Sequence, residues 1–258
     1  MLELRQVEVV YNKLATAVSG VSLSVEQGAI TTLLGTNGAG KTTTLKTISG
    51  FLRSENADIT EGEILFEGRD IRGLAPHEVS KLGIALVPER DKVFDTLTVD
   101  ENLRAASVTS AGVTEAYELF ERLNQVRTRL AGYLSGGEKQ LLAMAMALST
   151  KPRLLLVDEL SLGLAPIIVS RLLADLQRVQ KDLGLTVLLV EQNAAAALRV
   201  ANYGYVIEDG RIVFDGDADR LLNHGDIMEF YLGAEDDEGE RRSYRDVRQY
   251  RRKRRWWG

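Results

Sequence analysis

The sequence predicts an α/β fold: a mostly parallel sheet, further strands at the N-terminal side, and a helical insert. Three observations carry this. Short apolar runs alternate with helical stretches, the pattern of βαβ units. A glycine-rich turn joins an apolar strand directly to a helix at residues 30–52. Residues 98–150 hold no convincing strand.

Taken in order, Leu2, Leu4, Val7 and Val9 read as a first strand, and Val21, Leu23 and Val25 alternate with polar residues as a second. An apolar run at 30–34 precedes the glycine-rich turn, and a helix is expected over 41–52. GEILFEGRDI at 62–71 reads as a strand-and-turn unit. Buried-strand candidates follow at 83–87, 153–157, 186–190 and 205–207, the last joined by Asp209-Gly210 to a second strand, RIVF. Helices are expected at 98–106, 113–124 and 136–149 in the insert, and at 166–183 and 192–201 between the later strands. EDDEGE at 235–240 reads as a linker.

With 258 residues the chain has room for one or two domains. It has no cysteine, which excludes disulfides, a thiolate nucleophile, a zinc–thiolate site and an iron–sulfur cluster. His77 and His224 are the sole histidines, too few for a multi-histidine metal centre. The longest apolar run, 141–148, is far short of the ~18 residues that span a bilayer. MLELRQVEVV carries acids and no apolar core of the signal-peptide kind. The composition points to a soluble cytoplasmic protein. The net charge of −5 conceals an asymmetry: the last 18 residues hold nine Lys/Arg and one acid, +8, leaving −13 on the body. An acidic body disfavours general nucleic-acid binding.

Gly35-Thr36-Asn37-Gly38-Ala39-Gly40-Lys41-Thr42 fits G-x-x-x-x-G-K-[ST] between a strand and a helix. Glycines let successive N–H groups turn inward to cradle phosphate oxygens, and the helix N-terminus adds partial positive charge. Lys41 is expected to reach the β- and γ-phosphates, and Thr42 to offer its hydroxyl to Mg²⁺. Leu154-Leu155-Leu156-Val157-Asp158-Glu159 ends a buried strand in two acids, at the rim where open α/β sheets bind ligands. Asp158 is placed for Mg²⁺ and Glu159 for polarising an attacking water. Alone, the pair reads equally as charges favouring the next helix N-terminus. In Leu134-Ser135-Gly136-Gly137-Glu138-Lys139-Gln140, Ser135 is a helix N-cap and the glycines bare N–H groups at a helix start. Alone, that motif reads as a capped helix.

Together and in this order, the phosphate loop, LSGGEKQ and LLLVDE resemble the ATP-binding cassette (ABC) ATPase family over residues 1–233. The resemblance implies a P-loop NTPase core from 1–97 and 151–233 with an antiparallel β-subdomain, a helical subdomain at 98–150, and a linker and tail at 234–258. It implies ATP and Mg²⁺, with the phosphates held by Asn37, Gly38, Ala39, Gly40, Lys41, Thr42 and Thr43. It also implies that Ser135, Gly136, Gly137 and Glu138 of one subunit close over the γ-phosphate held by another. The working unit is then a head-to-tail dimer, with itself or with a second ABC ATPase. Tyr11 lies where the family stacks an aromatic ring on adenine; the alternative is a core or edge tyrosine. Ser161-Leu162-Gly163-Leu164-Ala165-Pro166 corresponds to the loop after the catalytic glutamate.

Three positions depart from the common pattern. Glu89 stands where a glutamine is usual, Gln192 where a histidine usually meets the γ-phosphate, and Thr36 where proline is common. Glu89 can accept from the attacking water or bind Mg²⁺ but cannot donate when ionised. The Gln192 amide can donate but cannot become a cation, so some transition-state stabilisation is lost. A slow site follows, or one paired with a subunit that carries the histidine. VPE, VFDTLTVDENL, SLGLAP and LLVEQN resemble one branch, the second ATPase of high-affinity branched-chain amino acid importers and relatives for amides or urea. That branch implies membrane permease subunits, a solute-binding protein acting indirectly, and a place on the inner face of the cell membrane. The alternative is a soluble ABC ATPase acting on nucleic acid or ribosomes, or in cofactor assembly. The tail admits a solvated charge run, docking to an acidic or partner surface through Tyr244, Tyr250, Trp256 and Trp257, or binding to an anionic membrane; nucleic acid is disfavoured.

Overall fold

Alternating apolar and polar residues shape the N-terminal region. In β1 (Leu2–Tyr11) and β2 (Ala15–Val25) the apolar side chains share one buried face, with Leu2 opposite Val25 and Leu4 opposite Leu23 in an antiparallel pair. This is seen in a computed structural model that describes residues 1–90, 92–107 and 109–223. β3 (Ile30–Leu34) is different: every position is buried, as a strand covered on both faces requires. α1 (Lys41–Ser49) ends sooner than its sequence suggests, because Gly50 takes a left-handed φ of 81° and its N–H caps the Lys46 carbonyl. Residues 51–55 form a 3₁₀ turn instead. β4 (Ala57–Phe66) starts before residue 62, recruited along its full length by antiparallel pairing with β1, and β5 (Arg69–Asp70) pairs with its end.

After α2 (Pro76–Lys81) and β6 (Ile84–Val87) the chain enters helices α3 (Val99–Ala106), α4 (Ser110–Leu119), α5 (Glu121–Asn124) and α6 (Gly136–Leu148). The single helix expected over 113–124 is two. Phe120 leaves the helical region at φ −131°, ψ 73° while its ring is buried in the helical core. The remaining elements are β7 (Leu154–Asp158), α7 (Pro166–Leu183), β8 (Thr186–Glu191), α8 (Ala194–Leu198), β9 (Tyr203–Glu208), β10 (Arg211–Asp217) and α9 (Ala218–Leu222). α8 is shorter than the expected 192–201: it starts after Asn193, whose side chain caps it by accepting from the Ala196 amide at 3.0 Å, and it ends at Leu198.

Two sheets result among the described residues. One is antiparallel, in the order β2-β1-β4-β5. The other runs β10-β9-β3-β8-β7-β6, parallel except for the β10 edge. Side chains of the parallel sheet alternate between two cores. Leu34, Leu155, Val157, Val187 and Leu189 face the core shared with α6, α7 and α8. Leu33, Leu154, Leu156, Leu188 and Val190 face the core shared with α1 and the antiparallel sheet. The consequence for function is at the rim. Leu34 is paired with Glu191, and Val190 with Asp158, so β3, β8 and β7 all end at one level. His224, the segment to residue 233, the linker and the basic tail lie outside the described residues.

Candidate active site

The loop leaving β3 is shaped by glycines that no other residue replaces. A Cβ on Gly35 would lie 2.5 Å from the Ile207 carbonyl oxygen, and one on Gly40 2.7 Å from that of Ala17. Gly40 also has φ 105°. Asn37, Gly38, Gly40, Lys41, Thr42 and Thr43 line a cleft of about 320 Å³, and Glu89 and Glu159 share it. Ala39 is buried beneath the loop and does not line the cleft. Lys41 is buried, and its ammonium donates to the Gly35 carbonyl at 2.9 Å and the Thr36 carbonyl at 3.1 Å. It also pairs with Glu159 Oε1 at 3.1 Å. A buried cation surrounded in this way is held ready for an anion that can displace the carboxylate.

The acids stand at the ends of β7 and β6. The Thr42 hydroxyl donates to Asp158 Oδ1 at 3.2 Å. Burial pushes Asp158 up to about 6, with Glu159 and Glu89 adding to the rise and Thr42 and Lys41 opposing it. Glu159 takes a left-handed φ of 45°, unusual for a residue with a side chain. Glu89 is half-buried and accepts from Arg90 Nε at 3.0 Å. Tyr11 adjoins the cleft at Thr43, its hydroxyl 3.4 Å from Thr43 Oγ1, and it donates to Glu55 Oε2 at 3.2 Å.

Two other predicted groups are not in this cleft. Ser135 N-caps α6 in a capping box: its amide and hydroxyl donate to Glu138 Oε2 at 2.8 and 2.7 Å. These bonds hold the Glu138 carboxyl below its ordinary value. Gly136 and Gly137 pack against Leu164 and Ile168, beside the start of α7, and the Ser135–Gly136 end is exposed. Gln192 is exposed beyond the end of β8 and does not line the cleft. Within one chain, therefore, the phosphate loop, Asp158, Glu159 and Glu89 come together, while Ser135, Gly136, Gly137, Glu138 and Gln192 do not.

Three polar side chains near the acids escape sequence reasoning. Lys92 is half-buried; burial pushes its ammonium down, against the pull of Glu89 and Asp158. Gln140, buried, donates from Nε2 to the Leu160 carbonyl at 3.2 Å. Glu191 is wholly buried and accepts from Ser161, and burial pushes it up to about 7 from 4.5, with Glu159 adding to the rise against the Ser161 and Leu160 hydrogen bonds. The signal was present for Glu191, an acid closing an apolar strand, but its partner lies 30 residues away.

Glu191 gives a pH prediction. Between about 4.5 and 7 the folded state keeps a proton that the unfolded chain has released. Stability from this group is therefore greatest at acid pH and falls as pH rises through that window, by on the order of 3 kcal/mol. Glu191→Gln does not titrate. Urea unfolding at pH 5 and pH 8 is expected to show the variant gaining on the wild type at the higher pH. A difference that does not change with pH would contradict the assignment.

No helix among the described residues is long and apolar enough to cross a membrane, and none of the described residues form a cluster of three or more His, Cys, Asp or Glu side chains able to cage a metal ion. The family model described as ABC transporter matches residues 18–161. The chain is 41% identical over 240 residues to the high-affinity branched-chain amino acid transport ATP-binding protein BraG of Pseudomonas aeruginosa, covering 91% of this chain and all of that one. It is 38% identical over 222 residues to the probable branched-chain amino acid transport ATP-binding protein LivF of Archaeoglobus fulgidus, covering 84% and 92%. A crystal structure of a nucleotide-free ATP-binding cassette from an ABC transporter superposes with a TM-score of 0.78 at 27% identity, over 90% of this chain and 98% of that one. Loop, rim acids, fold and relatives agree: the chain belongs to the ABC transporter family, as one of its nucleotide-binding ATPase subunits.

Proposed function

We propose that the chain is the ATP-hydrolysing subunit of an importer for branched-chain amino acids or a related small polar solute. The observation that carries the substrate class is the 41% identity to the whole of BraG. The alternative, a soluble ABC ATPase acting on nucleic acid, ribosomes or cofactor assembly, is not favoured by these relatives. The chain divides in this reading into a core at 1–97 and 151–233, a helical subdomain at 98–150, and a linker and tail at 234–258.

In the proposed chemistry the loop amides and Lys41 hold the triphosphate, Tyr11 stacks on the adenine, and Glu159 takes the proton of the attacking water. Gln192, exposed and outside the cleft in this structure, donates its amide to the γ-phosphate only after a movement of the loop beyond β8. Mg²⁺ fits the donor set: the Thr42 hydroxyl and Asp158, with Glu89 nearby, supply few oxygens, as expected of an ion that shares its shell with substrate phosphates and water. When bound, the ion neutralises charge on the β- and γ-oxygens. Lys41 is shared between Glu159 and phosphate. An arriving phosphate draws the ammonium away from its carboxylate partner, which frees Glu159 to accept a proton. Ser135, Gly136, Gly137 and Glu138 serve the nucleotide of a second subunit, this chain or a related ATPase. The exposure of Ser135 and Gly136 at a helix N-terminus, apart from their own chain's cleft, supports that reading.

Membrane permease subunits are the proposed partners, on the inner face of the membrane, with a solute-binding protein acting through them. Affinity purification of the full chain from native membranes in mild detergent tests this. Recovery of two membrane proteins and a second ATPase is expected. Recovery of only itself, ribosomes or nucleic acid would overturn it.

A further inference from the structure

Glu159 occupies a strained place, at φ 45°. Such a conformation persists only where the surroundings fix it. The segment Glu159-Leu160-Ser161 is restrained from two directions. From α6, Gln140 Nε2 donates to the carbonyls of Glu159 and Leu160 at 3.4 and 3.2 Å. From β8, the Val190 carbonyl accepts from the Glu159 amide at 3.0 Å. Glu191, next along β8, completes the restraint. Its Oε1 accepts from the Ser161 amide at 3.1 Å and its Oε2 from the Ser161 hydroxyl at 2.5 Å.

A fully buried carboxyl at the end of an apolar strand is costly unless hydrogen-bonded. An apolar residue would close β8 without that cost, so burial alone gives no reason for an acid. The distinctive feature is where its bonds go. Both carboxylate oxygens are taken by Ser161, two residues beyond Glu159, and Glu191 immediately precedes Gln192. One side chain thus links the exit of β7 to the exit of β8, at the rim where the cleft lies.

We propose that Glu191 is a positioning residue for hydrolysis: by fixing Ser161 through two hydrogen bonds it holds the Glu159 carboxylate in place against the cleft. This rests on the assignment of Glu159 as the base. Glu191 is wholly buried and does not line the cleft, so its effect is on turnover and not on ATP affinity.

The test uses the purified full chain, with kcat and KM for ATP measured alongside equilibrium ATP binding. Ser161→Ala is expected to lower kcat about tenfold, the scale of a slightly misplaced catalytic group, with KM within about twofold. Ser161→Thr keeps a hydroxyl donor and recovers most of the turnover. Glu191→Gln can accept from the amide and donate to the hydroxyl, and it too recovers most of it. Glu191→Leu, with no acceptor, falls at least as far as Ser161→Ala, and adding Ser161→Ala to it lowers kcat no further. A merely structural role would instead raise KM and lower Tm in step with kcat. That pattern, or wild-type kcat in Ser161→Ala, or equal losses in Ser161→Thr and Ser161→Ala, overturns the proposal. If Glu191→Leu does not fold, the Ser161 pair decides. A fully active Glu159→Gln overturns the base assignment and this inference with it; an inactive Glu159→Gln beside a fully active Ser161→Ala overturns this inference alone.

Discussion

Replacing Glu159 by glutamine is expected to reduce ATP turnover on the order of 10³-fold while tightening ATP binding. The first effect is loss of the proposed proton acceptor; a neutral amide of the same shape cannot take a proton from water. The second follows from an ion pair within the cleft. Lys41 Nζ sits 3.1 Å from Glu159 Oε1, both buried, so an arriving phosphate competes with that carboxylate for the ammonium. In Glu159→Gln the competitor is a neutral amide and weaker, and Lys41 keeps two backbone carbonyls but loses its direct ion-pair partner. The free variant is therefore less stable, and ATP raises its Tm by more than it raises that of the wild type. An ATPase assay and thermal unfolding with and without ATP check both halves. Unchanged turnover, or weaker ATP binding, would contradict the reading.

Lys41→Met is expected to lose both binding and turnover, each by about 10²-fold or more. Methionine fills similar space without charge. The cleft then holds Glu89, Glu159 and Asp158 with no Lys41 to balance them, and a triphosphate approaches like charge at short range. Asp158 also loses a neighbour that opposes its protonation. Equilibrium ATP binding separates this variant from Glu159→Gln: one fails to bind, the other binds and does not turn over. Retained affinity in Lys41→Met would remove Lys41 from the phosphate site.

The parts of this protein legible in the sequence are those written in contiguous residues. The phosphate loop is a local backbone shape, set by glycines at fixed spacing and by the strand and helix beside them. The buried strands at 30–34, 154–158 and 186–191 were legible because a parallel sheet covered on both faces needs apolar residues throughout. The helix start at Ser135 was legible because an N-cap serine directly ahead of a helical run is a local signal. Helix ends were less so: the stop at Gly50 and the break at Phe120 each follow from a single residue's backbone angles, which periodicity does not register.

The sequence by itself determined the phosphate loop, the two acids after it and the family they mark. Only the tertiary structure decided which side chains meet. β8 lies between β3 and β7, so Thr42 reaches Asp158 across 116 residues of chain and Lys41 meets Glu159, while Glu191, arriving on the strand between them, takes Ser161. Strand order is a property of the assembled core, fixed by which faces bury against which helices. No local pattern of apolar residues carries it. The same assembly leaves Ser135 and Gly136 exposed at the start of α6, outside the cleft of their own chain.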